Sequence, residues 1–157
     1  MFTVGDKIVY PMHGAGIIEK VEEKKILGET RKYYILRVPC GDMKIMIPVE
    51  SCQEVGVRNV LSDEELLKVL ECLHSETTEM SSNWNRRYRE NMEKLKTGDA
   101  FEVAEVVRNL MRLDKEKKLS TGEKKMLSNA RQILQSEIIL VRNIDLKEAS
   151  KIIEETV

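Results

Sequence analysis

The 157-residue sequence predicts an α+β protein, a small antiparallel β barrel followed by an all-α domain of about five helices. Apolar residues in the first fifty positions come in short β-branched or aromatic runs broken by Gly and Pro. From residue 62 they recur at helical spacing, and four helix-start signatures punctuate that half. The composition, 41% hydrophobic and 34% charged with few Gly and Pro, suits packed domains rather than a disordered chain. The change of period divides the chain into a β domain (1–55), an acidic connector with the first helix of the helical domain (56–80), and the helical domain proper (81–157).

The runs KIVYP, GAGII, KYYILRVP and MKIMIPVE read as four or five strands. Leu27-Gly28-Glu29-Thr30 reads as a hairpin turn between a strand ending near Ile26 and one starting near Arg31. So small a set of strands is expected to close into a bent barrel, because closure removes unpaired edges. In the fourth run Met43, Ile45, Ile47 and Val49 alternate with Lys44, Met46 and Pro48, which buries one face and leaves Met46 beside Lys44 on the other. Pro48 cannot donate to a ladder and favours an edge strand. Met46 is either a single exposed apolar residue or part of a partner-binding edge.

The helix starts are written in capping residues. Ser62, Asp99, Ser120 and Asp145 each stand three residues before a Glu, the spacing that satisfies free N–H groups at a first turn. A fifth helix is expected from about Ser82 to Thr97, ended by Gly98. Stripes such as Val103, Val106, Val107, Leu110 and Met111, or Met126, Ala130, Ile133, Leu134 and Ile138, are expected to meet in one core.

Reaction chemistry finds little support, and the expectation is a protein without enzymatic activity, cofactor, metal or small-molecule substrate. Neither a dinucleotide nor a phosphate-loop signature occurs, and His13 and His74 are the only histidines. His13 lies in a Pro-Met-His-Gly-Ala-Gly turn and reads as structural. Cys40, Cys52 and Cys72 form no close pair, which disfavours a disulfide framework or a zinc cluster and fits the cytoplasm. Cys40 before Gly41 would need a lowered pKa to act as a redox thiol. No stretch is long and apolar enough for a membrane helix.

Net charge is -1, but its distribution is uneven. Residues 61–80 hold 1 Lys or Arg against 6 Asp or Glu, whereas residues 81–132 hold 13 against 8. Within the basic segment Asn83-Trp84-Asn85-Arg86-Arg87-Tyr88-Arg89 surrounds the only Trp with arginines in the first turns of a helix. Cations there oppose the helix dipole unless an anion is present, and Lys124 and Lys125 repeat the arrangement. Charge alone favours the plainer reading, a solvated basic face. Trp84, Tyr88, Met92 and Leu95 share helical spacing, so periodicity alone favours Trp84 as a core residue, and only its first-turn position would let it project past the end of a bundle.

The runs VGDKIVYPMHGAG, NWNRRYRENMEKLKTGD, VAEVVRNL and LSTGEKKMLSNARQIL, in this order and across essentially the whole chain, resemble the CarD-like bacterial transcription regulators. The N-terminal part is also similar to the polymerase-interacting module of transcription-repair coupling factor. The resemblance implies a Tudor-like β domain that contacts the RNA polymerase β subunit. It also implies a helical domain that contacts promoter DNA at the upstream edge of the bubble and stabilises the open complex. It assigns Trp84 as a minor-groove wedge, with Arg86, Arg87, Arg89 and Lys124 approaching the backbone; Lys125 joins them from its position. It places polymerase contact at Lys24, Ile26 and Met46, beside Lys44. Some relatives carry Arg at the positions of Lys24 and Met46, so the bidentate fork is missing from both here. Such a factor is expected in the cytoplasm, carried to the nucleoid by polymerase and monomeric when bound. A protein-only adaptor without DNA contact is the alternative.

Overall fold

The β-rich half pairs into one antiparallel sheet in the computed structural model, which describes residues 2–39 and 43–157. Its strands are β1 (Lys7–Tyr10), β2 (Gly14–Ile26), β3 (Glu29–Val38), β4 (Met43–Pro48) and β5 (Arg58–Asn59), in the order β4-β3-β2-β1-β5. Pro48 ends β4 at the sheet's edge, opposite Tyr33, where its missing N–H leaves no gap in the ladder. The β2–β3 connection is tighter than the four residues read from sequence. Only Leu27 and Gly28 lie between the strands, with φ of +52° and +82°, the double left-handed geometry that matches strand twist in a two-residue hairpin.

A register shift between Ile18 and Lys20 bends the hairpin. Among the described residues no ladder joins β4 to β5, so the sheet curls around its core without closing through hydrogen bonds. That core gathers Ile8, Ile18, Tyr34, Leu36, Val38 and Ile47 with Cys52. The short helix α1 (Cys52–Val55) brings Cys52 into it, and burial pushes the Cys52 thiol up, away from reactivity. β5 pairs with β1, so the sheet runs past residue 55. Cys40, the thiol considered for redox chemistry, lies outside the described residues.

The helical half contains α2 (Asp63–His74), α3 (Trp84–Lys96), α4 (Ala100–Glu116), α5 (Thr121–Arg142) and α6 (Leu146–Thr156). The capping residues act as the spacing predicts, with one variation. Ser62 and Glu65 form the full reciprocal box, and Ser120 and Asp145 accept from the third helical N–H, but Asp99 accepts from Phe101 instead. α5 is the central element. Met126, Ala130, Ile133, Leu134 and Ile138 are buried against stripes from α2, α4 and α6 in one continuous core. Each fully buried Leu or Ile there contributes about 1.5 to 3 kcal/mol of transfer free energy. The far end of α5 lies against β2, where Val9, Ala15 and Leu140 form a small apolar seam between the two halves.

Candidate functional site

α3 starts at Trp84 because Asn83 caps it, its Oδ1 accepting from the N–H groups of Asn85 and Arg86 at 3.0 and 3.2 Å. The apolar stripe on this helix is buried progressively towards its C-terminus. Leu95 is buried, Met92 and Tyr88 are half-buried, and Trp84 at the tip is 56% exposed. The indole therefore projects from the end of the bundle, against the core position that periodicity alone favours. One turn further on, Tyr88 packs beside the start of α5, where a side chain on Gly122 would meet its ring at 3.7 Å.

Arg86 and Arg89 stay on the surface and line a shallow groove of about 420 Å³ along α3 with Tyr88, Met92, Lys96 and the carboxylates of Glu90 and Glu93. Arg86 reaches Glu90 at 2.9 Å in an exposed pair one turn apart, which holds it loosely. Arg89 makes no side-chain hydrogen bond or ion pair among the described residues. Arg87 behaves differently. Its Nε and Nη2 donate to the two carboxylate oxygens of Glu123 at 2.7 and 2.8 Å, and its Nη1 donates to the Ser81 carbonyl at 3.2 Å.

Glu123 is almost wholly buried, and the hydrogen bonds from Arg87 hold its carboxyl below the usual carboxylate range, outweighing the opposite effect of burial. Arg87's own guanidinium is held further in its charged state by the same pair. Arg87's fork is thus engaged inside the protein, tying the first turn of α3 to that of α5.

Lys124 and Lys125 follow Glu123 directly and are exposed, with no ion pair among the described residues. Lys124 turns towards α6 and lines a separate groove of about 540 Å³ with Asp114, Arg131 and Glu154, so α3 and α5 share one end of the domain without all their cations sharing one groove. Lys117 and Lys118 escaped the sequence reading, although the run Lys115–Lys118 signals them. They line a third groove, about 370 Å³, with Ser81, Ser82 and Arg87 at the foot of α3.

The irregular segment that leads from α2 to Asn83 is stitched to α4. Arg108 and Asn109 are buried and donate to Thr78 Oγ1 at 3.2 and 2.8 Å; Arg112 donates to the carbonyls of His74 and Ser75. These bonds satisfy backbone and side-chain groups that regular structure leaves unpaired. Burial would raise the Glu105 carboxyl, but hydrogen bonds from Lys94 and Thr78 carry it below the usual range, and it anchors the same segment.

On the sheet, Met46 stands opposite Ile35 and Lys44 opposite Arg37; Lys20 faces Ile35 from the other side. Strand alternation from Lys20 puts Lys24 and Ile26 on that same outer face. All four sequence-predicted residues thus share one face, with Lys24 and Ile26 further out on the two-stranded ribbon that extends beyond β4. Glu19, at the register shift, holds Lys44 at 3.4 Å and Arg37 at 3.8 Å. Met46 and Ile26 remain partly exposed. His13 stacks on Tyr10 at 4.4 Å in the β1–β2 turn, and among the described residues no cluster of metal-ligating side chains forms.

The β module is thus joined to a helical module that presents an exposed Trp84 beside Arg86 and Arg89. Residues 68–154 match the family described as CarD, C-terminal domain, and residues 2–61 match the CarD-like/TRCF RID domain. The chain belongs to the CarD-like family of transcription regulators. It is 43% identical over 148 residues, 94% of this chain and 97% of the relative, to a Bacillus subtilis (strain 168) protein described as "Putative transcription factor YdeB".

Proposed function

We propose that the protein binds the RNA polymerase β subunit through the outer face of its sheet and promoter DNA through the α3 tip, stabilising the open complex without catalysing a reaction. The observation that carries this reading is the exposed Trp84 at a capped helix start, flanked by the uncommitted cation Arg89 and the loosely held Arg86. An apolar side chain inserted at a base step unstacks and kinks DNA, which costs a few kcal/mol in intact duplex and less where strands are already parting. Such a wedge binds a melted edge better than closed duplex, and only differential affinity shifts an equilibrium. Arg86, Arg89, Lys124 and Lys125 supply the phosphate contacts.

At the sheet, Lys24, Ile26, Lys44 and Met46 form a mixed apolar and basic surface. The missing arginine forks make the contact more apolar than in relatives that carry Arg at Lys24 and Met46. The test is the lifetime of open complexes on several promoters with wild-type protein and with Trp84→Ala. The variant is expected to shorten the lifetime while polymerase β subunit is still recovered in a pull-down, and Met46→Glu is expected to abolish that recovery. Unchanged lifetimes with Trp84→Ala would remove the wedge.

A further inference from the structure

The two domains meet through contacts that leave almost no slack. The Ala15 N–H donates to Ser136 Oγ at 2.8 Å, and that hydroxyl donates on to the Ile133 carbonyl at 2.6 Å. Arg58, on β5, forks onto both carboxylate oxygens of Glu137 on α5 at 2.8 Å each. Glu137 also accepts the Leu61 N–H at 2.9 Å, while Arg58 Nε donates to the Gly98 carbonyl at 3.0 Å, so one ion pair touches β5, the connector, α5 and the α3–α4 turn. Lys7 Nζ donates to the Leu140 carbonyl at 3.0 Å.

The backbones are equally close. A side chain on Gly14 would come within 2.8 Å of Ser136 Oγ, and one on Gly98 within 2.8 Å of Pro11 Cγ. Only residues 60–62 separate β5 from α2. Glu137 is 3% exposed, and parting the domains would strand it from its partner and open the Val9–Ala15–Leu140 seam.

We infer that Arg58 and Glu137 are positioning residues: the latch they form makes the protein a rigid spacer that sets where Trp84 falls on DNA relative to the sheet's outer face. This rests on the proposed polymerase and DNA contacts. A flexible tether would let the two surfaces engage at many separations, giving only an effective concentration; a fixed span delivers the indole to one base step.

The test attaches an iron chelate at Arg86→Cys, in a chain also carrying Cys40→Ser and Cys72→Ser, and maps radical cleavage of promoter DNA in the polymerase complex. With the latch intact the cuts are expected in one narrow cluster. Glu137→Gln removes the charge while keeping the shape; it is expected to widen the cluster and shorten open-complex lifetime severalfold, with polymerase recovery and forked-DNA affinity unchanged. Arg58→Lys, which keeps charge but loses the fork, is expected to do the same more mildly and serves if the first variant fails to fold.

Hydrogen exchange at the Ala15 and Leu61 amides reports whether the interface has opened. Opened amides with an unchanged narrow cluster and lifetime would overturn the latch's role. Absence of any cleavage cluster with the latch intact, together with insensitivity to Trp84→Ala, would instead overturn the contacts on which it rests.

Discussion

Arg86 and Arg87 are adjacent in sequence and have opposite fates, because Arg87 finds a buried carboxylate and Arg86 only an exposed one. Removing Arg87 leaves Glu123 buried without its partner, so Arg87→Ala is expected to cost about 3 kcal/mol in a urea titration. Arg86→Ala should stay within about 0.5 kcal/mol of wild type, since its pair with Glu90 is exposed. For forked DNA the order of direct effects is expected to reverse, because the proposed phosphate contact falls to Arg86. The Arg87–Glu123 pair also sets an acid limb. Glu123's folded pKa lies below its unfolded value, so its stabilisation is fully present above the ordinary carboxylate range and is lost as pH falls through the folded value. Glu123→Gln is therefore expected to flatten the fall in stability below about pH 4.5, read from thermal melts across pH. Sequence alone gives the two arginines the same status, because what separates them is a carboxylate 36 positions away.

Among the elements, the ones legible in sequence are those whose cause is local. Helix starts at Ser62, Asp99, Ser120 and Asp145 could be read directly, since a cap needs only the next three residues. β5 could not: two residues long, it is a strand only because β1, some fifty positions earlier, offers it partners. The incomplete closure of the sheet is likewise a tertiary outcome. The hairpin turn carries a further consequence. Leu27 holds a left-handed φ of +52° while its side chain is fully exposed, a conformation that costs roughly 1 to 2 kcal/mol for an ordinary residue and less for Asn. Leu27→Asn is expected to raise stability by about 0.5 to 1 kcal/mol in chemical denaturation. If the polymerase β subunit covers the ribbon tip that also carries Ile26, the same substitution weakens polymerase recovery, so stability and binding should move in opposite directions.

At the scale of the whole molecule, a net charge of -1 sets the division of labour. The cations that could touch phosphate are few, and the acidic stretch at 61–80 offsets them in the protein's overall field. The four proposed contacts, from Arg86, Arg89, Lys124 and Lys125, would give a slope of about -3.6 in log affinity against log salt, so binding to forked DNA should fall roughly 150-fold between 50 and 200 mM salt. Arg89→Ala is expected to reduce that slope by about 0.9, whereas Trp84→Ala should lower affinity for forked DNA at every salt concentration and leave the slope unchanged, because stacking releases no counterions. Fluorescence anisotropy with labelled forked DNA over a salt series separates the two effects. A slope near zero would favour an adaptor that binds proteins alone. A slope of the expected size makes free DNA a poor address at physiological salt, so the sheet must bring the helical domain to the promoter, and open-complex lifetime should be much less sensitive to salt than forked-DNA binding by the free protein.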